Sequence, residues 1–122
     1  MTYKNNSCLP FSPAPSGPPR DVQAVVNSSS SIILYWLPPS KDQQNGEITS
    51  YRIKMRGSDP SYTVINTQNN STTFPITGLQ AFTDYEFILQ ALNDKGVGPL
   101  SPPVVNRTFE AGKRDLRYYN YL

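Results

Sequence analysis

Two carboxylates stand two residues apart, Asp84 and Glu86, inside the run Thr83-Asp-Tyr-Glu-Phe87. Side chains at that spacing share one face of a strand. A carboxylate pair can divide acid and base work when its surroundings push the two pKa values apart. In open solvent they stay unsplit, so this pair reads as a solvated face. The 122-residue chain has no histidine and a single cysteine, Cys8, which lies in a polar stretch without a partner thiol. The commonest general base and metal ligand is therefore missing, and catalytic and zinc readings have little to work with. No nucleophile, base and oxyanion donor can be assembled by any justified spacing. The expectation is a non-enzyme with no catalytic residue, metal or cofactor.

Recognition by charge is the next chemistry the residues offer. Arg52, Lys54 and Arg56 alternate with Tyr51, Ile53 and Met55, which puts three cations on the outward face of one strand. By the same parity Arg107 emerges on that sheet face two strands away, giving four cations within about 15 Å that could meet an acidic protein or heparan sulfate. Glu86 on the intervening strand partly offsets them, and such charges also keep a half-exposed sheet soluble. A net charge of +2 does not by itself hold a polyanion at physiological salt, so nucleic acid is not implied.

Asn-x-Ser/Thr occurs five times, at Asn5, Asn27, Asn69, Asn70 and Asn106, against roughly two expected by chance. Asn27, Asn69 and Asn70 fall in turn-like segments that a glycosyltransferase can reach, although adjacent Asn69 and Asn70 are not both expected to be modified. This surplus outweighs the low cysteine content and points to a secreted or cell-surface setting. No apolar run approaches the 18 or so residues needed to cross a bilayer, and residues 1–17 lack the apolar stretch of a signal peptide.

The elements that would position these groups are short. Twelve prolines and seven glycines interrupt every window long enough for a stable helix, which favours strands joined by turns. Residues 1–17, with three prolines and no periodicity, read as a linker. Val22, Ala24 and Val26 alternate in a strand over 21–26, and an apolar run gives a strand over 31–37 stopped by Pro38-Pro39. The indole fixes the parity of that second strand: Ile32, Leu34 and Trp36 face inward, and Ile33, Tyr35 and Leu37 outward. The Lys41 to Gly46 loop, whose Asn45-Gly46 pair tolerates positive φ, leads into the strand of Tyr51, Ile53 and Met55. Weaker strands follow at 62–66 and at Thr72 to Thr77, where Pro75 argues for a sheet edge. The longest strand covers 83–93, with Phe87, Leu89 and Ala91 inward, and the last runs from Val104 to Phe109. Seven strands at this spacing predict an all-β, two-sheet antiparallel sandwich. Val25, Ile33, Tyr35 and Pro75 then share the outer side of one sheet, a candidate contact face for a neighbouring domain. Residues 110–122 read as a second linker.

Several spaced features together resemble a fibronectin type III domain over 18–109. They are Gly17-Pro-Pro-Arg-Asp-Val22, Trp36 with Pro38-Pro39, Asn45-Gly-Glu-Ile-Thr-Ser-Tyr51, Ile76-Thr-Gly-Leu79, Thr83-Asp-Tyr85 and Ala91-Leu-Asn-Asp-Lys-Gly-Val-Gly-Pro-Leu-Ser101. The resemblance implies an immunoglobulin-like sandwich with Trp36, Tyr51, Leu79, Tyr85, Phe87 and Leu89 in its core. Tyr85 takes the place of the tyrosine corner, its hydroxyl bonded to a nearby backbone group. Asn106 takes a place the family often gives to an inward valine and is not expected to carry a glycan. The Arg-Gly-Asp that some members carry between their last two strands is absent, Arg56-Gly-Ser-Asp59 being a near miss, and so is the Trp-Ser-x-Trp-Ser box of cytokine receptors. The function implied is a non-catalytic interaction or spacer module in the ectodomain of a cell-surface adhesion or signalling receptor. An accessory module of an extracellular enzyme and an intracellular, muscle-type repeat are the alternatives.

Overall fold

A computed structural model describes residues 13–111; Cys8, Asn5 and all but the first two residues of the linker expected over 110–122 lie outside the described residues. The elements are β1 (Arg20–Val26), β2 (Ile32–Leu37), the single turn α1 (Lys41–Gln44), β3 (Ser50–Arg56), β4 (Thr63–Asn66), β5 (Thr73–Ile76), β6 (Asp84–Asn93), β7 (Gly96–Val97) and β8 (Val104–Arg107). One sheet has the order β1-β2-β5; the other has five strands, ordered β4-β3-β6-β7, with β8 also pairing β6. All pairings are antiparallel. The strand beyond the seven read from the sequence is β7, two residues that turn back on the end of β6, Leu92 opposite Val97 and Asn93 opposite Gly96. The Lys41 to Gly46 loop likewise contains the turn α1, which ends in Asn45 at φ 54° and Gly46 at φ 125°.

The core lies between the layers and follows the period of two. Ile32, Leu34 and Trp36 from β2 meet Tyr51 and Ile53 from β3 and Phe87, Leu89 and Ala91 from β6, all buried. Ile76, Leu79 and Tyr85 close one end. Trp36 and Tyr51 meet edge to face, with centroids 5.1 Å apart and planes at 70°, an arrangement their quadrupoles favour. Burial pushes the Tyr51 phenol above its ordinary value, against a smaller downward pull from Trp36. Pro75 sits in β5 at the edge of its sheet, where a residue without an N–H costs no ladder bond.

Tyr85 closes its end of the sandwich with a bond as well as a ring: its hydroxyl accepts the Gln80 N–H at 2.8 Å. Gly57 lies against that ring, because a Cβ built there would stand 2.6 Å from Tyr85 Cε1. The ring is held at its hydroxyl and cannot swing aside. Gly57→Ala is therefore expected to lower the unfolding free energy by about 1–3 kcal/mol, the usual cost of overpacking. Urea denaturation checks this, and a loss below about 0.5 kcal/mol would show that the corner gives way freely.

Residues 13–17 depart from the linker expected over 1–17. The Ser16 N–H donates to the Gln43 carbonyl at 2.8 Å, Asn45 Nδ2 to the Ala14 carbonyl at 2.9 Å, and Asn93 Nδ2 to the Pro13 carbonyl at 3.0 Å. Pro15 and Gly17 are buried. Prolines offer no N–H but leave carbonyls free, and two asparagines collect them. The chain thus enters at the α1 end and leaves at the other, where the Phe109 carbonyl accepts the Phe82 N–H at 2.9 Å.

Candidate functional site

The outer face of the five-stranded sheet carries the charges. Register places Arg52 beside Gln90, Lys54 beside Ile88 and Arg56 beside Glu86 on β6, while Arg107 on β8 faces Asp84. The four cations share a face, but they are not equally available. Arg56 Nε lies 2.7 Å from Glu86 Oε1, and the same oxygen accepts the Tyr62 hydroxyl at 2.8 Å. The Arg56 guanidinium also stacks 4.8 Å from the centre of the Tyr62 ring. Arg107 holds Asp84 with two bonds, at 2.8 and 3.1 Å, and lies 4.7 Å from the centre of the Phe82 ring.

Two of the four expected binding cations are therefore occupied within the domain. The carboxylates read from sequence as a solvated pair each hold a different arginine. Hydrogen bonding from Arg107 draws the Asp84 carboxyl below the usual carboxylate range, and Asp84 in turn raises Arg107. A carboxyl lowered in this way contributes at neutral pH and loses its contribution as pH falls through the lowered value. The Tyr62 hydroxyl is raised, mainly by its bond to Glu86. Arg52 and Lys54 have no acidic partner among the described residues. Both are partly exposed, and Arg52 Nε is shielded without a hydrogen-bond partner beside the equally unpartnered Gln90 Oε1. Among the described residues this face thus carries two positive charges without an ion-pair partner, flanked by the exposed Val64 and Val105.

The opposite outer face is apolar at its centre, and Arg20 stands at one end of it, opposite Leu37. Val25, Ile33 and Pro75 stand in one cross-strand row over β1, β2 and β5, with Gln23, Tyr35 and Thr73 in the next. Val25 is 46% exposed and Tyr35 44%; Pro75 is exposed and Ile33 half-buried. Among the described residues no group of three or more acidic, cysteine or histidine side chains could hold a metal.

Among the sequons, Asn27, Asn69 and Asn70 are exposed. Asn106 is partly buried, and its Nδ2 donates across the sandwich to the Ala24 carbonyl at 2.7 Å. The residue that sequence reasoning passed over is Asn93, 5% exposed. Its amide nitrogen donates to the Pro13, Gln44 and Asn45 carbonyls, and its oxygen accepts the Lys95 and Gly96 N–H groups. Its place as the last inward position of a buried face was the available signal.

The family model for the fibronectin type III domain matches residues 17–107. The chain belongs to the fibronectin type III family. Among curated proteins it is 38% identical over 103 residues to the cell adhesion molecule DSCAM of Gallus gallus, a match covering 80% of this chain and 5% of that protein. It is 35% identical over 109 residues to neogenin of Mus musculus, covering 88% of this chain and 7% of that protein. The chain thus spans only a small part of the relatives it matches. The third fibronectin III domain of human KIAA0343 superposes with a TM-score of 0.77 at 23% identity, covering 93% of this chain and 97% of that one, a likeness of fold. No helix among the described residues is long and apolar enough to cross a membrane.

Proposed function

We propose that this domain is a non-catalytic protein-binding and spacing module in the ectodomain of a cell-surface adhesion receptor. The observation that carries this reading is the outer face of the five-stranded sheet, where Arg52 and Lys54 have no acidic partner among the described residues while Arg56 and Arg107 are tied down. Fixed carboxylates and rings around these two cations make a rigid surface, positive but not uniformly so. Such a surface suits an acidic patch on another protein, since charge complementarity steers encounter and fixes register. Similarity to a cell adhesion molecule supports the setting. Chain entry and exit at opposite ends of a sandwich suit a spacer in a string of domains.

The test is binding of the labelled domain to intact cells. Arg52→Glu with Lys54→Glu is expected to reduce binding by about tenfold or more while leaving the unfolding midpoint within a few degrees, because both side chains lie on the outer face outside the core. Unchanged binding would refute the reading. Loss of binding after heparan sulfate is digested from the cells would assign the face to that polyanion instead of a protein.

A further inference from the structure

We propose that an N-linked glycan on Asn27 folds back over the apolar outer face of the three-stranded sheet and is what covers it. The inference rests on the extracellular reading above. Along β1 the outward positions are Gln23 and Val25, and Asn27 follows at the next outward step. The Asn27 N–H donates to the Ser31 carbonyl at 3.0 Å, which continues the antiparallel register from Val25 opposite Ile33. Asn27 therefore stands one two-residue step, about 7 Å, from the row Val25, Ile33 and Pro75. The first two sugars span that step.

The chemistry of the face suits a saccharide. The apolar row is bordered on one side by Asn27 and Ser31 and on the other by Gln23, Tyr35 and Thr73. These neighbours are uncharged hydroxyls and amides around exposed aliphatic and aromatic carbon. A pyranose ring has one face of C–H groups to lay on Val25, Ile33 and Pro75, and a rim of hydroxyls for the polar border. Exposed apolar side chains in a contiguous row otherwise invite association.

Attachment transfers an oligosaccharide from a lipid pyrophosphate donor. A bond forms between Asn27 Nδ2 and C1 of the first sugar, the C1–O bond to pyrophosphate breaks, the lipid pyrophosphate leaves and the amide loses one proton. The remaining N–H can keep its present bond to Ser31 Oγ, at 3.1 Å. Asn106 differs in being partly buried, with its Nδ2 directed across the sandwich to the Ala24 carbonyl.

The test uses the whole chain secreted from an animal cell line behind a cleavable leader. Glycopeptide mass spectrometry reads site occupancy, and hydroxyl-radical labelling reads exposure at Val25 and Tyr35, with Tyr62 and Val64 on the other sheet as reference. Asn27 is expected to be occupied. Enzymatic removal of the glycan, and separately Asn27→Gln or Ser29→Ala, are expected to raise labelling of Val25 and Tyr35 about twofold or more against the reference. Occupancy at Asn69 or Asn70 with Asn27 bare would overturn the inference and leave the extracellular reading standing, whereas no occupancy at any sequon would overturn the inference and weaken the extracellular reading. An occupied Asn27 with unchanged labelling, or a face protected equally with and without the glycan by self-association, would also overturn it.

Discussion

Replacing Trp36 by alanine is expected to lower the unfolding free energy by about 3–5 kcal/mol, the range for truncating a buried large aromatic. Trp36 is 3% exposed and stands edge-on to Tyr51, so both layers lose a wall at once. Neither sheet can close the gap independently: the backbone at Trp36 is fixed by its N–H bond to the Thr72 carbonyl at 3.0 Å. For a domain of this size the melting temperature should fall by more than about 10 °C. The matched control is Leu37→Ala, one residue on, where the side chain is 45% exposed and the expected change is within about 0.5 kcal/mol. Calorimetry on the two variants decides the matter. Similar losses would mean that the indole does not organise the core, and the alternation of β2 would lose its physical meaning.

That alternation is also why much of the fold was legible before any coordinates. A period of two, read with one bulky indole to set its phase, assigns Ile32, Leu34 and Trp36 to the interior and Ile33 and Tyr35 to the outside. Pro75 identified an edge because a missing N–H is a local property. The tyrosine corner came with the family resemblance, as its Gln80 bond does not follow from spacing. What stayed hidden depends on register between strands. Arg56 opposite Glu86 and Arg107 opposite Asp84 follow from how β3 and β8 align with β6. Periodicity within one strand is silent on that alignment, so four cations read as equal when two of them are neutralised. The turn α1 is too short to show a helical period, and β7 is a by-product of the turn beside it.

The docking of residues 13–17 was hidden for another reason: it is held by polar groups far apart in sequence, 80 residues in the case of Asn93 and Pro13. Prolines suggested an extended chain and said nothing about where their carbonyls would go. The consequence for function is that chain entry into this domain is fixed by hydrogen bonds from Asn45 and Asn93. A spacer module transmits orientation only if its connections are held in this way, so Asn93 bears on the proposed role as directly as the charged face does.

Asn93→Asp makes that dependence measurable. The change is nearly isosteric, but it replaces a nitrogen donating at 3.0, 3.1 and 3.2 Å to three carbonyl oxygens with an oxygen facing the same three. At neutral pH the result is a buried anion facing carbonyl oxygens, and the expected loss is about 3–5 kcal/mol, comparable to breaking a buried ion pair. The Lys95 and Gly96 N–H groups favour an anion at one oxygen, but three carbonyl oxygens facing the other, together with burial, outweigh them, so the folded-state pKa of the new carboxyl lies above its ordinary value of about 4. A raised pKa sets the sign: the variant keeps its stability below the unfolded value and loses it as pH rises towards the folded one. The difference from the parent should therefore shrink below about pH 4, where a protonated carboxyl donates one bond back, and reach its full size near neutrality. Denaturant titrations at several pH values test this, with Asn93→Ala as the uncharged comparison losing a similar amount at every pH. A pH-independent deficit in the aspartate variant would show that the three carbonyls do not converge on this side chain, and that entry of the chain is fixed by something else.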